Sequence, residues 1–257
     1  MTAETTRGNP SRNRFPIGFL VFSVVSLAIL VSLGTWQVKR LAWKEGLLAT
    51  IHERIHSAPR PLADLERQFA KTHDVEYWPV TAHGAFLNRS ERDFFATWKG
   101  SSGFFIYIPL RLDDGRFLFV NRGFVPYDRK DPSTRPMSEV KGEVTITGLG
   151  RNPLAKKPSF LVPDNNPAEN IFFWKDIKAM TATAGLPAGA TVLPFFVDAG
   201  NAPNPGGLPV GGVTFIDLPN NHLQYALTWY GLAAVLAIIL TLKLWRWKQG
   251  EENPRGA

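Results

Sequence analysis

The sequence predicts an α+β membrane protein in which two transmembrane helices flank a β-rich extracytoplasmic domain, either an antiparallel sheet or a small barrel. Three observations lead there. Residues 15–38 contain no Asp, Glu, Lys or Arg over 24 positions, and residues 218–242 contain none over 25. A bilayer's hydrocarbon core takes about 20 mainly apolar helical residues, so each run is long enough to cross it. Between them lie six runs rich in β-branched and aromatic residues, bounded by Gly, Pro and charged turns.

The first apolar run is too long for a secretory signal, whose apolar core covers about 7–15 residues before a small-residue cleavage site. SLGTWQVKR offers no such site, so the run is expected to stay as an anchor. Apolar positions at Leu41, Leu47, Leu48, Ile51 and Ile55 carry the helix onward, and Pro59 and Pro61 end it. From residue 78 the pattern becomes WPVTAHGAFL, RDFFATW, GFFIYIPLRL, RFLFVNRGFVP, GEVTITGLG and TVLPFFVDAG, each a strand. LRLDDGRFLFV reads as a hairpin with Asp114-Gly115 at its turn, where a positive φ favours glycine. IFFWKDIKAMTATAG is expected to start as a strand and pass into a short helix, while the Pro-, Gly- and Asn-rich stretches around residues 152–170 and 201–212 are loops. Asn220 or Asn221 suits the N-cap of the second span. Ser23, Ala28 and Ser32 on one span, and Ala226, Ala233 and Ala237 on the other, would let the two backbones approach closely.

Orientation follows from basic residues at the span ends. Lys243, Arg246 and Lys248 follow the second span, whereas Arg7, Arg12 and Arg14 before the first are balanced by Lys39, Arg40 and Lys44 after it. The second span therefore sets the expectation: cytoplasmic tails at 1–14 and 243–257, spans at 15–38 and 218–242, and a periplasmic domain at 39–217. The net charge of +7 is concentrated in the tails, with seven basic against three acidic residues; the middle domain has 22 against 19. That is a solvated surface, and it argues against nucleic acid as a partner. With no cysteine there is neither a disulfide nor a thiolate metal site, and three methionines do not make a copper relay.

Two motifs carry chemistry. His52-Glu53-Arg54-Ile55-His56 is a literal H-E-x-x-H, which on a helix could hold zinc with Glu53 as base. Its context is poor: Arg54 sits inside the motif, Pro59 ends the helix, and only His73 or Glu76 offers a third ligand. A solvated helix beside the membrane is the plainer reading. PGGLPVGG lacks the lysine of a phosphate loop and reads as a turn, and His73 and His83 suggest no nucleophile or triad. Arg122, between apolar strand residues, reads as a buried, hydrogen-bonded arginine. His222 is the second motif. His222, Tyr225, Ala226 and Trp229 share one helical face where the second span begins. Such rings form an interfacial belt, and an imidazole there can also ligate haem iron.

The chain resembles the surfeit locus protein 1 family of cytochrome c oxidase assembly factors. The resemblance rests on LGTWQVKRLAWKEGLL (33–48), VNRGFVP (120–126), GEVTITGLGR (142–151), PDNNPAEN with Trp174 and Asp176, PGGLPVGG, and NHLQYALTWYGLAA (221–234), in family order. It implies a non-enzymatic factor acting on oxidase subunit I, with other oxidase assembly factors and haem a synthase as partners. The fourteen residues before the first span, Glu4 among them, leave no room for an Arg-rich presequence, so a member in a bacterial inner membrane is expected. It also implies haem a binding, with His222 at the position of the family's proposed ligand. Physically, the farnesyl tail of haem a would lie in membrane lipid, and Trp36 or Trp229 would pack on the ring beside Tyr225. Lys39, Arg40 or Lys44 would pair with the propionates. Two other readings stand beside this one: a structural partner of oxidase subunits that never touches haem, and a membrane zinc peptidase using His52, Glu53 and His56.

Overall fold

The computed structural model describes residues 17–214, 216 and 219–252. The expected tail at 1–14 with Arg7, Arg12 and Arg14, the start of the first span, the 217/218 boundary and residues 253–257 lie outside the described residues. The chain forms two compact units, one of residues 17–48 with 219–252, the other of residues 49–216.

The first unit holds α4 (His222–Glu252) and all but the last seven residues of α1 (Ile17–Ile55), two helices long and apolar enough to cross a membrane. Small residues let their backbones approach, as membrane helices require. Ser23, Gly34, Ala226 and Ala233 are buried between them. A Cβ added to Gly34 would come within 2.8 Å of the Tyr230 ring, and Thr35 Oγ1 lies 3.1 Å from the Tyr230 hydroxyl. Ala28 and Ser32, expected at this contact, are instead exposed. At about 100° per residue Gly34 falls back on the face of Ser23, whereas Ala28 and Ser32 are rotated from it by roughly 140° and 180°.

The second unit is the β-rich domain. Its elements are β1 (Arg60–Pro61), α2 (Leu62–Thr72), β2 (Pro79–Phe86), β3 (Arg92–Trp98), β4 (Ser101–Leu112), β5 (Phe117–Pro126), β6 (Glu143–Arg151), α3 (Ile177–Thr183) and β7 (Val192–Ala199). The strand order is β1-β2-β6-β7-β5-β4-β3, and β2 also pairs with β4. That extra pairing closes β2, β6, β7, β5 and β4 into a five-stranded barrel, leaving β1 and β3 attached outside the ring. The expected barrel is present, but its pairing is mixed: β5 runs parallel to β7, and β1 parallel to β2.

Local sequence explains most of these elements. Gly115 ends the β4–β5 turn at φ +84, the left-handed geometry that glycine adopts without strain. Asp176 caps α3 by accepting from the backbone amides of Lys178 and Ala179. Residues 171–172 form only isolated bridges, so the strand expected before α3 is vestigial. Helix α2 was unexpected; Leu62, Leu65 and Phe69 fall on one face and pack against a core that includes Val80, Leu118, Val120 and Val197. The opposite face of the same strands packs Phe119 and Phe196 against Met180 and Ala184 around α3. Strand β5 thus has strands on both edges and side chains over both faces, and nine of its ten residues are buried. This accounts for its continuous apolar run, and Asn121 and Arg122 stand out inside it.

Candidate functional site

In the helical unit, α4 begins at His222, whose backbone amide donates to Asn220 Oδ1 at 3.4 Å. Its ring faces α1. Nδ1 of His222 lies 2.8 Å from Oε1 of Gln37, which is itself 8% exposed. An amide oxygen turned to the ring is met by the tautomer that carries its proton on Nδ1. That tautomer keeps the lone pair on Nε2, the form that ligates a metal. Nε2 of His222 has no hydrogen bond among the described residues. Gln37 was not among the residues singled out from sequence, although an uncharged amide at the end of an apolar helix is a recognised polar contact between membrane helices.

The other expected site residues divide by helical angle. Lys44 lies about two turns beyond Gln37 and Arg40 about one turn, so both project toward the same side as Gln37. Lys44 is half-buried; Arg40 is exposed and holds its guanidinium 4.1 Å over the Trp43 ring. Trp36 is exposed at roughly 100° from Gln37, and Lys39 at roughly 200°, so these two are not gathered around His222. On α4, Ala226 is buried against α1, Trp229 is half-buried and Tyr225 is 53% exposed. Among the described residues the side-chain partner of His222 is thus Gln37, with Trp229 about two turns further along the same face of α4 and Arg40 and Lys44 about one and two turns beyond Gln37 on α1.

The H-E-x-x-H helix has a different environment. The His52 and His56 rings lie 4.1 Å apart, and His56 Nδ1 contacts the His52 carbonyl at 2.8 Å. Glu76, offered as a third ligand, is engaged by Arg151 and by the Asn152 amide. His73 caps α2 in a left-handed conformation. Among the described residues no three His, Cys, Asp or Glu side chains are grouped to hold a metal.

The SURF1 family model matches residues 24–234, which takes in Gln37, the whole β-domain and His222. The chain belongs to the SURF1 family. It is similar to the surfeit locus protein 1 of Rattus norvegicus, 34% identical over 255 residues, 93% of this chain and 78% of that protein. Surfeit locus protein 1 of Homo sapiens is 32% identical over 235 residues, 85% of this chain and 75% of its own length. The SURF1-like protein of Monosiga brevicollis is 33% identical over 242 residues, 89% and 87% respectively.

The β-domain of this SURF1 family chain also contains buried polar groups. Arg122 is 3% exposed; its Nη1 donates to the Ser138 carbonyl and its Nη2 to Asn204 Oδ1, both at 2.7 Å. Beside it Glu91 pairs with Arg135, both buried. Asp93 is buried next to Glu91, with Asn170 Nδ2 donating to its Oδ2 at 3.1 Å. Burial, reinforced by the charge of Glu91, pushes the Asp93 carboxyl up to about 8. One residue along the strand, Asn121 donates to Asp198 Oδ1 at 3.0 Å, and Thr214 donates to Oδ2 at 2.9 Å. Of these only Arg122 stood out in the sequence. Glu91 lies just before β3 and Asp93 within it, and nothing in RSERDFF marks which charges turn inward.

Proposed function

We propose that this SURF1 family chain is a non-enzymatic assembly factor for haem-copper cytochrome c oxidase, holding haem a through His222 and aiding its insertion into subunit I. Membership of the family supports the oxidase role. The observation that supports haem binding is the Gln37–His222 bond, because it orients the ring and leaves Nε2 as a free donor. Haem a, when bound, supplies an iron centre that accepts an imidazole nitrogen, and its chemistry stays with the cofactor. This chain's own residues hold and orient. His222 would ligate, Gln37 fix the tautomer, Trp229 and Tyr225 cover a ring face, and Lys44 and Arg40 pair with propionates. Trp36 and Lys39, on other faces of α1, would serve the membrane interface.

In this reading the chain sits in a bacterial inner membrane with tails 1–14 and 243–257 in the cytoplasm and residues 39–217 in the periplasm. Its partners are subunit I, other oxidase assembly factors, haem a synthase and membrane lipid. The test is to purify the full chain from cells making haem a and compare bound haem per protein with His222→Ala at equal membrane insertion. Strong loss of haem supports the reading. Equal occupancy with an unchanged spectrum leaves a structural oxidase partner. A reporter fused after residue 257 that is active only in the periplasm would overturn the orientation.

A further inference from the structure

The β-domain has a cavity of about 280 Å³ that the haem reading does not use. Phe86, Val144, Ile146, Ala199 and Pro203 line it with mainly apolar surface, and Arg122 is in its wall. The arginine is unusual for its depth. A buried charge normally sits against an opposite one, since desolvation without a counter-ion costs several kcal/mol. Arg122 is almost fully buried, yet none of the ion pairs among the described residues includes it. The acid whose charge bears on it, Glu91, is already paired with Arg135. The two acceptors that Arg122 does reach, a carbonyl and an amide oxygen, are neutral. A guanidinium has five N–H donors, and these bonds use two of them. Burial holds the Arg122 guanidinium down at about 10 against the ordinary arginine value, with the Glu91 charge offsetting only part of it, and its Cζ lies 5.2 Å over the Phe86 ring of the cavity wall.

A buried cation with spare donors beside an apolar hollow is half of a recognition site, and the missing half is an anion with an apolar body. We propose that this cavity binds a carboxylate carrying a short apolar group, with Arg122 as its counter-ion. A planar carboxylate matches the guanidinium fork, and the walls match a compact apolar remainder. The volume falls near the lower limit of ligand pockets, about 300–1,000 Å³, so the ligand is a small acid or the terminal residue of a peptide. The site lies wholly within the β-domain and does not depend on His222.

The test uses the full chain in detergent. Binding of 4-fluorobenzoate is followed by fluorine NMR against 4-fluorobenzamide, its uncharged isostere. An acetylated tripeptide ending in phenylalanine acid is compared with its amide, to tell a chain terminus from a free acid. At least one acid is expected to bind about ten-fold or more tightly than its amide. Two variants probe the site: Arg122→Gln removes the charge, and Ala202→Phe, at an exposed position on the rim, fills the cavity and leaves the charge in place. Each is expected to weaken acid binding by about ten-fold or more. Should Arg122→Gln fail to fold, Ala202→Phe decides alone. Equal affinity for acid and amide, acid binding untouched by Ala202→Phe, or no acid binding at all overturns the proposal.

Discussion

His222 on α4 and Gln37 on α1, 185 positions apart in the chain, are joined by a 2.8 Å contact between Nδ1 and Oε1. If that contact orients an iron ligand, Gln37→Leu lowers haem a retention by about 10-fold or more, as loss of a partner behind a metal-bound histidine does. Gln37→Glu restores it, since a carboxylate accepts from the same Nδ1–H. Bound haem per protein, read by absorbance at equal insertion, checks both. Full retention in Gln37→Leu would show that the contact serves helix pairing alone.

Gly34 has the same importance for packing that Gln37 has for chemistry. Gly34→Leu drives a side chain into the Tyr230 ring, where even a Cβ comes within 2.8 Å. The melting temperature of the purified protein falls, while Ala28→Leu, on an exposed face, leaves it unchanged. Equal melting of the two variants would contradict the packing described.

Arg122→Ala leaves the Ser138 carbonyl and Asn204 amide without their donor inside the domain. The cost is about 3 kcal/mol, since two buried neutral acceptors are left unsatisfied. For a domain of this size that amounts to about 6–12 °C in melting temperature, measurable by calorimetry. An unchanged melting temperature rules out a structural role for the arginine.

Gly123 sits at φ +130, and an added Cβ would lie 2.0 Å from the Val210 carbonyl oxygen. The adjacent Phe124 exchanges both backbone hydrogen bonds with Val210, so neither chain can move away without breaking them. Gly123→Ala therefore costs more than Arg122→Ala, and the yield of protease-resistant domain shows it. A normal yield would mean that the 205–212 loop readily shifts.

Asp93 gives the stability of the domain a pH dependence. Its carboxyl is raised to about 8 when folded, so the folded domain holds a proton that the unfolded chain releases near pH 4. The stabilisation is complete below pH 4 and lost as pH rises toward 8, with a slope of at most about 1.4 kcal/mol per pH unit. Denaturation at pH 5 and pH 8 reveals it, and Asp93→Asn, which keeps the neutral form, flattens that interval. An equal slope in the variant would assign the effect to another group.

Much of this architecture was legible in the sequence because it follows from period and punctuation. The two charge-free runs, the alternating strands and the Asp114-Gly115 turn each carry a local signal. Helix α2 had one too, in Leu62, Leu65 and Phe69, but it is only 11 residues long and directly follows the prolines that end α1. The parallel β5–β7 pairing was not legible, since strand alternation fixes which face a residue takes and says nothing of its neighbour. Likewise His222 showed itself by its place on an apolar helix, while Gln37 acquires meaning only once α1 and α4 are side by side. Glu91, Asp93 and Arg135 look like surface charge until the fold turns them inward.

The mixed pairing of the barrel also sets an order of events in time. Among the described residues β7 pairs with both β5 and β6 and so completes the ring, which stays open until residues 192–199 have been synthesised. Until then β5 and β6 each expose an unpaired edge, and pairing of such distant segments is slow because chain closure precedes any gain from contact. Helix α4 begins at His222, soon after β7 ends. Completion of the barrel and emergence of the second apolar helix are thus nearly simultaneous in synthesis. A chain stalled before residue 192 would be left with two sticky strand edges and no second apolar helix, a substrate for quality-control proteolysis.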